Sequence, residues 1–309
     1  MATVALTARA GAPISWRRDI RARASPSRVG GETDARRRAR ADDGSRDATA
    51  TAPMTRRDAC AALALAASSA VVGAARADTA AISRAYDRYA ASYDDLDGGA
   101  FAADTLGLDA TRRALLAKAR GDVLELGVGT GLNLPGYDAT RVTSLTAVDI
   151  SEGMLEKAKA RAQTLQTSAG LFVDKEGRRT ITFAVADAER LPFPDASFDC
   201  VVDTFSLCVF ANPEAALAEV RRVLKPDGVA LLVEHTKSKT VPLLGAYQDL
   251  VAAPVTKMSK GCAWNQDVVA MATRAGLRVT SAEPGLAGLL TTLEATVAEG
   301  SEGAGVSTR

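Results

Sequence analysis

From about residue 82 onward, short apolar runs alternate with longer amphipathic segments along the chain. The short runs are bounded by Gly, Pro, Asp or Ser, as is typical of buried strands, whereas the longer segments have helical periodicity. This alternation predicts an α/β protein with a doubly wound sheet. The seven expected strands cover residues 123–126, 145–149, 181–185, 200–205, 229–234, 277–282 and 289–297.

Residues that commonly start helices lie between the expected strands. Ser151 is expected to cap the helix after the second strand, and Asn212 with Pro213 to begin the helix after the fourth. Asn265 is the expected cap of the last helix. Only residues 283–288 separate the final two strands, which is too short for a crossover helix, so these strands should form an antiparallel hairpin at the sheet edge.

The segment before the first strand predicts an N-terminal helical cap. Its helices should flank a loop at 94–99, and Tyr86, Tyr89 and Tyr93 recur at helical spacing. Such a stripe packs against the core or forms a lid over a ligand. The expected organisation is a leader over 1–77, the cap over 78–119, a sheet domain over 120–298 and a disordered tail over 299–309.

Charge is divided unevenly between the leader and the rest of the chain. Residues 1–77 hold 14 Arg, no Lys and seven acidic residues, whereas residues 78–309 hold 24 basic and 30 acidic residues. The 47% hydrophobic content excludes a disordered protein, and the lack of 18 consecutive strongly apolar residues excludes a polytopic membrane protein. Because residues 78–309 are net −6 without a basic stripe, we expect no nucleic-acid partner.

The leader has the features of a targeting sequence. Residues 1–54 are rich in Arg, Ala, Ser and Thr, which is typical of an organellar transit peptide. Paired arginines at 56–57, an apolar stretch over 59–75 and an A-x-A triplet follow in the order of a twin-arginine signal. This combination resembles the bipartite presequences of chloroplast proteins, and it predicts a largely disordered leader, a chloroplast location and thylakoid association. The alternatives are mitochondrial import, or an uncleaved helix or weak membrane anchor at 59–75.

A glycine-rich turn follows the first expected strand and is expected to open a helix. Gly127, Gly129 and Gly131 have the spacing G-x-G-x-G, which differs from the G-x-G-x-x-G of dinucleotide-binding folds. Glycines at this place let the backbone approach a ligand at the carboxyl end of the sheet. Glu125 lies beside the turn and favours a cationic ligand over a pyrophosphate.

Two aspartates end the next two strands. Asp149 is placed to accept hydrogen bonds from a ribose diol, and Ile150 and Met154 are suited to apolar contact with a purine. Asp187, after the third strand, is a candidate acceptor for an adenine amino group. Without the glycine turn, Asp149 would be better explained as a helix cap or turn residue, and Asp187 by itself is part of a polar loop.

Four segments in this order resemble the class I S-adenosylmethionine-dependent methyltransferases of the methyltransferase type 11 group. They are VLELGVGTG, AVDIS-x-x-ML, ADAERLPFPDASFD and VRRVLKPDGVALLVEH, and they lie within residues 120–235. The resemblance implies a Rossmann-like, seven-stranded class I methyltransferase fold with S-adenosylmethionine as cosubstrate. It also implies roles for individual residues: Gly127, Gly129 and Gly131 beside the methionine part, Asp149 on the ribose, Asp187 with Ala188 at the adenine, and Glu125 and Thr204 near the amino acid group.

Three shorter segments are similar to the membrane-associated alkyl thiol methyltransferases of animals and their mitochondrial relatives in fungi. They cover residues 206–209, 233–235 and 260–262. Two long loops, at 206–211 and 235–261, are expected on the acceptor side, and the second is amphipathic, which favours a small apolar acceptor. The function expected is methyl transfer to a thiol or similar nucleophile, with peripheral membrane association as a further expectation. The alternatives are C- or O-methylation of quinones or lipid-like aromatics, and a non-catalytic assembly protein that binds the cosubstrate.

His235 is the only histidine and should end a central strand, where it is a candidate general base. A structural histidine, hydrogen-bonded beside the site, is the favoured alternative, because methyl transfer from a sulfonium depends more on alignment than on proton transfer. The four cysteines form no C-x-x-C pair, so neither a disulfide framework nor a metal site is expected. Cys208 and Cys262 are expected to lack a His or Asp partner and to have no covalent role.

Overall fold

The computed structural model describes residues 78–96, 106–169, 172–173, 176 and 180–298. The leader over 1–77 and the tail over 299–309 lie outside the described residues, as do residues 97–99 of the expected N-terminal loop.

Seven strands of the described chain form one sheet in the order β3-β2-β1-β4-β5-β7-β6. The first five are parallel, and β7 is antiparallel to both β5 and β6. The expected doubly wound α/β sheet and its antiparallel last hairpin are therefore confirmed. The strands are β1 (Gly121–Leu126), β2 (Val142–Asp149), β3 (Ile181–Val185), β4 (Phe198–Thr204), β5 (Leu224–His235), β6 (Leu277–Gly285) and β7 (Leu290–Val297).

The helices precede the sheet or connect its strands. They are α1 (Thr79–Tyr89), α2 (Tyr93–Leu96), α3 (Leu108–Leu116), α4 (Glu152–Ala169), α5 (Pro213–Val223), α6 (Pro242–Met258) and α7 (Val268–Arg274). Short 3₁₀ turns lie at Leu134–Gly136, Leu207–Val209 and Leu286–Gly288.

Two of the three expected caps are confirmed. The backbone N–H of Met154 donates to the Ser151 hydroxyl, and the Asn212 side chain accepts from the backbone of α5. The expected cap at Asn265 is wrong, because Asp267 accepts from Ala270 N and starts α7 two residues later. Asn265 instead donates to a side chain of α6.

The expectation of a long loop over 235–261 is also wrong. Most of that segment is α6, a 17-residue helix that begins with Pro242 in its first turn, where proline's missing N–H costs no helical hydrogen bond. Gly245 and Pro254 lie inside the helix and weaken the sequence signal for it. In the part of the chain that the structure describes, no helix has both the length and the apolarity needed to span a bilayer.

Helices cover both faces of the sheet and enclose two apolar cores. On one face α5 and α7 pack against Leu124, Leu126 and Val201, and on the other α3 and α4 pack against Val123, Leu145 and Cys200. Because β2 and β4 flank β1 and their connections run over opposite faces, the sheet has a switch point beside β1. In open α/β sheets a crevice forms at that point, outside the carboxyl ends of the strands.

Candidate active site

A cleft opens at the carboxyl ends of β1 to β4. The turns after these strands form its floor, and α1 and α2 form its roof. Eight of the predicted site residues line this cleft: Gly127, Gly129, Asp149, Ile150, Met154, Asp187, Ala188 and Thr204. Gly131, Glu125 and His235 are not part of its lining.

The glycine turn after β1 needs residues without side chains. Gly127 has φ +53°, and a Cβ there would lie 2.4 Å from the Cβ of Ser206. Gly131 has φ +82° and packs against Leu134 and α4, so its role is to bring the turn close to that helix. The expectation that the turn opens a helix is wrong: a single 3₁₀ turn follows, and its Pro135 has no N–H to continue helical hydrogen bonding.

Asp149 is held rigidly at the end of β2. Its Oδ2 accepts from Gly129 N and its Oδ1 from Ser151 N, each at 2.9 Å. Burial raises the pKa of this carboxyl to about 6, although the two backbone donors oppose that shift. Each carboxylate oxygen keeps a further lone pair, so the group is a prepared acceptor for a ligand hydroxyl.

Two more segments line the cleft next to Asp149. Ile150 and Met154 provide an apolar wall, and Met154 is almost fully buried. Asp187 also lines the cleft, with one oxygen accepting from Glu189 N at 2.9 Å, and the neighbouring Ala188 is buried. An apolar wall and a carboxylate in one cleft suit a flat ring that carries an amino group.

Glu125 lies beneath the glycine turn rather than in the cleft. Asn133 donates to its Oε1 and Tyr137 to its Oε2, both at 2.9 Å. Asn133 also donates to the Thr204 hydroxyl at 2.9 Å, which connects Glu125 to the cleft lining. Desolvation raises the pKa of this fully buried carboxyl to about 7.

The N-terminal cap is tied to the cleft by two aspartates. Asp87 of α1 accepts from the Ser151 hydroxyl at 2.6 Å and from Gly153 N at 3.1 Å, at the start of α4. Asp94 of α2 accepts from the Thr130 hydroxyl and from Arg161, both at 2.5 Å. These bonds place Tyr86 and Tyr93 over the cleft, so the tyrosine stripe includes residues that cover the site.

Part of the cleft lining is apolar. Ile82 and Tyr86 contribute to it from α1, and Val209 and Phe210 from the turn after β4. That turn is fixed by Glu234, whose Oε1 accepts from Ser206 N at 3.0 Å and from the next backbone N–H. The predicted acceptor loop at 206–211 therefore borders the cleft.

Two buried acids, Asp203 and Glu234, meet at the carboxyl ends of β4 and β5. Burial raises the pKa of Asp203 to about 7, and burial together with the neighbouring Asp203 charge raises the pKa of Glu234 well above its usual value. The Ser206 hydroxyl also donates to Asp203. The sequence contained a signal for this pair, since both acids end apolar strands, but only the strand pairing shows that they meet.

Arg112 is a further site-adjacent residue that the sequence reasoning missed. Its guanidinium lies over the ring of Phe205, 5.2 Å from the ring centroid, and Phe205 lines the cleft. One Nη pairs with Asp109, whereas the buried Nε has no hydrogen-bond partner among the described residues. A buried donor beside a cleft is available to a carboxylate.

His235 lies behind the cleft lining, where its ring packs against Phe205 with 5.2 Å between centroids. Its Nδ1 lies 3.6 Å from the sulfur of Cys208 and 3.6 Å from that of Cys262. The expectation that these cysteines lack a histidine partner is therefore wrong. No sequence pattern indicates this contact, because 27 residues separate the histidine from each cysteine.

Comparison with known proteins identifies the enzyme class. Residues 124–232 match a family model described as a methyltransferase domain. A phosphatidylethanolamine N-methyltransferase of Cereibacter sphaeroides is 33% identical over 189 residues, which cover 60% of this chain and 81% of that protein.

Two other curated relatives match over shorter lengths. The mitochondrial methyltransferase OMS1 of Saccharomyces cerevisiae is 29% identical, over 51% of this chain and 34% of that protein. The ubiquinone/menaquinone biosynthesis C-methyltransferase UbiE of Pseudomonas paraeruginosa is 36% identical, over 40% of this chain and 46% of that protein. The chain thus spans about a third of OMS1 and about half of UbiE.

Solved structures share the fold. The [4+2]-cyclase SpnF superposes with a TM-score of 0.52 at 18% identity, over 71% of this chain and 96% of that one. DhpI, solved as a complex with SAH, gives a TM-score of 0.50 at 20% identity, over 72% of this chain and 98% of that one. Because one of these proteins is a cyclase, the fold by itself does not specify methyl transfer.

Proposed function

This chain belongs to the class I S-adenosylmethionine-dependent methyltransferases of the type 11 group, and we propose that it methylates a small apolar acceptor bound between α1 and the turn after β4. The observation that carries this proposal is the mixed lining of the cleft. Asp149 gives it a polar part held by backbone donors, whereas Ile82, Tyr86, Val209 and Phe210 give it an apolar part.

The polar part of the lining fits the cosubstrate. S-adenosylmethionine supplies a methyl group on a positively charged sulfonium. Asp149 accepts from the ribose hydroxyls, Asp187 and Ala188 meet the adenine, and the turn at Gly127 and Gly129 contacts the methionine part. In this proposal Glu125 acts as a positioning residue, because it contacts the cleft only through Asn133 and Thr204.

The apolar part of the lining determines the acceptor class. An acceptor bound against it is removed from water, and its nucleophilic atom is aligned with the methyl group. Alignment of this kind promotes methyl transfer without a general base. His235 lies outside the lining with its Nδ1 toward two sulfurs, an arrangement that favours a structural role over the catalytic one. A thiol that enters as a thiolate meets these requirements.

We also propose that the acceptor is taken up at a membrane surface. Leu243, Leu250 and Met258 of α6 are more than 80% exposed, and Tyr247 between them is half exposed. Their spacing places them along one side of the helix, so the helix presents an apolar stripe to its surroundings. Two relatives support this proposal by their names, which refer to a phospholipid and to quinones.

Methylation of a quinone or a lipid-like aromatic at carbon or oxygen is the second candidate, favoured by the UbiE relative. A non-catalytic protein that binds the cosubstrate is the third, and a cyclase with this fold shows why it needs a test.

For cellular location, we propose that residues 1–77 direct the chain to an organelle and that 78–119, 120–298 and 299–309 are the cap, catalytic domain and tail. The Arg-rich leader supports import, and the name of OMS1 supports the mitochondrion. The chloroplast rests on the leader alone.

A panel of acceptors tests the proposal. The full chain is incubated with S-adenosylmethionine labelled in its methyl group and with an alkyl thiol, a quinol or phosphatidylethanolamine vesicles, each beside a water-soluble thiol of similar reactivity. We expect label in an organic-extractable product, with the apolar thiol preferred over the soluble one. Equal transfer to both thiols would contradict an acceptor site formed by the apolar part of the cleft lining. Binding of the cosubstrate without transfer to any acceptor would support the non-catalytic candidate.

A further inference from the structure

Three side chains that commonly bind metals meet behind the cleft. Cys208 lies in the 3₁₀ turn after β4, His235 ends β5, and Cys262 lies in the loop between α6 and α7. The two sulfurs are 3.1 Å apart, and His235 Nδ1 is 3.6 Å from each. All three ligand atoms lie within 4.8 Å of one another.

These distances are close to those of a tetrahedral zinc site. With Zn–S bonds of about 2.3 Å and a Zn–N bond of about 2.0 Å, tetrahedral angles separate nitrogen from sulfur by about 3.5 Å and two sulfurs by about 3.8 Å. Both observed nitrogen–sulfur distances, 3.6 Å, are close to this value, so mainly the sulfur pair must open. A disulfide would place the two sulfurs about 2.05 Å apart and would not involve the histidine.

We propose that Cys208, His235 and Cys262 bind one zinc ion, which ties the loop after α6 to the turn after β4. Binding displaces one proton from each thiol, so the two thiols and Zn²⁺ yield two zinc-bound thiolates and two H⁺, with no change in oxidation state. Neutral His235 coordinates through Nδ1. The three protein ligands leave a fourth position for water.

The backbone holds these residues in place from three directions. Ala263 N donates to the carbonyl oxygen of Cys208 at 2.8 Å, which fixes the two cysteine-bearing segments side by side. His235 is paired with Leu290 in the sheet. Cys262 follows Gly261, which has φ +103°, and the carbonyl oxygen of Cys262 accepts from the Thr256 hydroxyl at 3.2 Å, so the end of α6 holds this ligand.

The position of the site gives the ion a structural effect on the cleft. The turn that holds Cys208 continues into Val209 and Phe210, which form part of the apolar lining of the cleft. A metal that holds this turn against the loop after α6 would stabilise that wall. The inference does not depend on the identity of the acceptor.

Metal titration tests the site directly. The full chain is prepared without a polyhistidine tag, with Cys60→Ser to remove the cysteine outside the described residues, and is kept reduced with a phosphine. Zinc is then titrated in competition with a chromophoric chelator, and cobalt is used as a spectroscopic probe. We expect one zinc per chain, a thiolate-to-cobalt charge-transfer band and a higher melting temperature with zinc.

Matched variants decide the assignment. Cys262→Ser and His235→Asn should each weaken zinc binding by at least about 100-fold and reduce the cobalt band. Cys200→Ser is the control, because Cys200 is buried in β4 away from the cluster and should keep the site. Circular dichroism of the metal-free variants verifies that they fold. Zinc binding that is equal in the parent and in folded Cys262→Ser would overturn the proposal, as would a reduced parent chain that binds no zinc.

Discussion

At the scale of single residues, Asp149 is the acceptor proposed for the ribose hydroxyls of the cosubstrate. Two backbone N–H groups hold its carboxylate, so it needs no rearrangement to accept from a ligand. Its raised pKa, about 6, means that the ionised form exists at neutral pH but is lost in mild acid.

Replacing Asp149 by Asn should weaken S-adenosylmethionine binding about 10- to 100-fold, since hydrogen bonds to a charged group contribute about 1.5–3 kcal/mol. Calorimetric titration measures the change. In the parent chain the affinity should also fall as the pH drops through about 6, and Asp149→Asn should remove that dependence. The exposed Asp227→Asn is the control, and unaltered affinity in Asp149→Asn would mean that the ribose binds elsewhere.

Glu125 should make stability depend on pH. Its pKa is raised from 4.5 to about 7, so between these values the folded chain keeps a proton that the unfolded chain releases. The stability contribution of this proton is complete below about pH 4.5 and is lost as the pH rises through about 7, a change on the order of 3 kcal/mol.

Denaturant unfolding of the parent and of Glu125→Gln at pH 5, 6, 7 and 8 measures this effect. Glutamine resembles the protonated acid and does not ionise, so its stability should fall less across the range. Parallel pH profiles for the two proteins would show that Glu125 ionises normally in the fold.

At the scale of elements, the glycine turn has the least tolerance for change. Gly127→Ala places a Cβ 2.4 Å from Ser206 in a backbone with positive φ, so both strain and steric clash result. Gly107→Ala is a matched control, because Gly107 has φ +70° but nothing within 4 Å of the added atom.

We expect Gly127→Ala to lower the free energy of unfolding by about 2–4 kcal/mol and to weaken cosubstrate binding, whereas Gly107→Ala should cost about 1 kcal/mol and leave binding intact. Chemical denaturation and calorimetry compare the two variants. Similar losses in both would mean that strain alone matters and that Ser206 moves away easily.

The attachment of α1 to α4 gives a prediction about the cap. Asp87→Ala removes two hydrogen bonds that hold the roof of the cleft, at a cost of about 1–2 kcal/mol. The acceptor KM should rise several-fold while the bound cosubstrate still reacts, so kcat should change little. Steady-state kinetics with the best acceptor test this, and an unchanged KM would indicate that the cap does not contact the acceptor.

The central strands were predictable because each contains a short apolar run, and the number of strands and the last hairpin follow from spacing. Helix α6 was not predictable, because an interior glycine, an interior proline and an exposed apolar side obscure its helical periodicity. The cap at Asp267 was missed because Asn265 has the same chemistry two residues earlier, and only backbone geometry distinguishes them.

At the scale of the whole molecule, the sheet order decides which residues meet. The sequence placed Asp149 and Asp187 at one edge correctly, since the carboxyl ends of parallel strands share an edge. It did not indicate that Cys208, His235 and Cys262 converge. His235 and Cys262 are 27 residues apart, and only the path of the chain through α6 brings them together. The position of Glu125 beside the glycine turn predicts a place in the cleft. Hydrogen bonds from Asn133 and Tyr137 instead hold its carboxylate beneath that turn.

The proposed contact with a membrane is tested on the surface of the whole molecule. Leu243→Glu combined with Leu250→Glu should reduce sedimentation with phospholipid vesicles at least about 10-fold, because both side chains are more than 80% exposed on α6. Val185→Glu is the control, since Val185 is half exposed at the end of β3, at the opposite edge of the sheet. If the double variant and the parent sediment alike, α6 does not make the contact.

Transfer of a labelled methyl group to an organelle lipid extract is the most direct test of the central claim. The full chain is incubated with S-adenosylmethionine labelled in its methyl group, with Asp149→Ala in parallel. The proposed function predicts label in an organic-extractable product for the parent chain and at least about 10-fold less for Asp149→Ala at limiting cosubstrate. Absence of labelled product from a parent chain that binds the cosubstrate, or equal transfer by the two proteins, would contradict it.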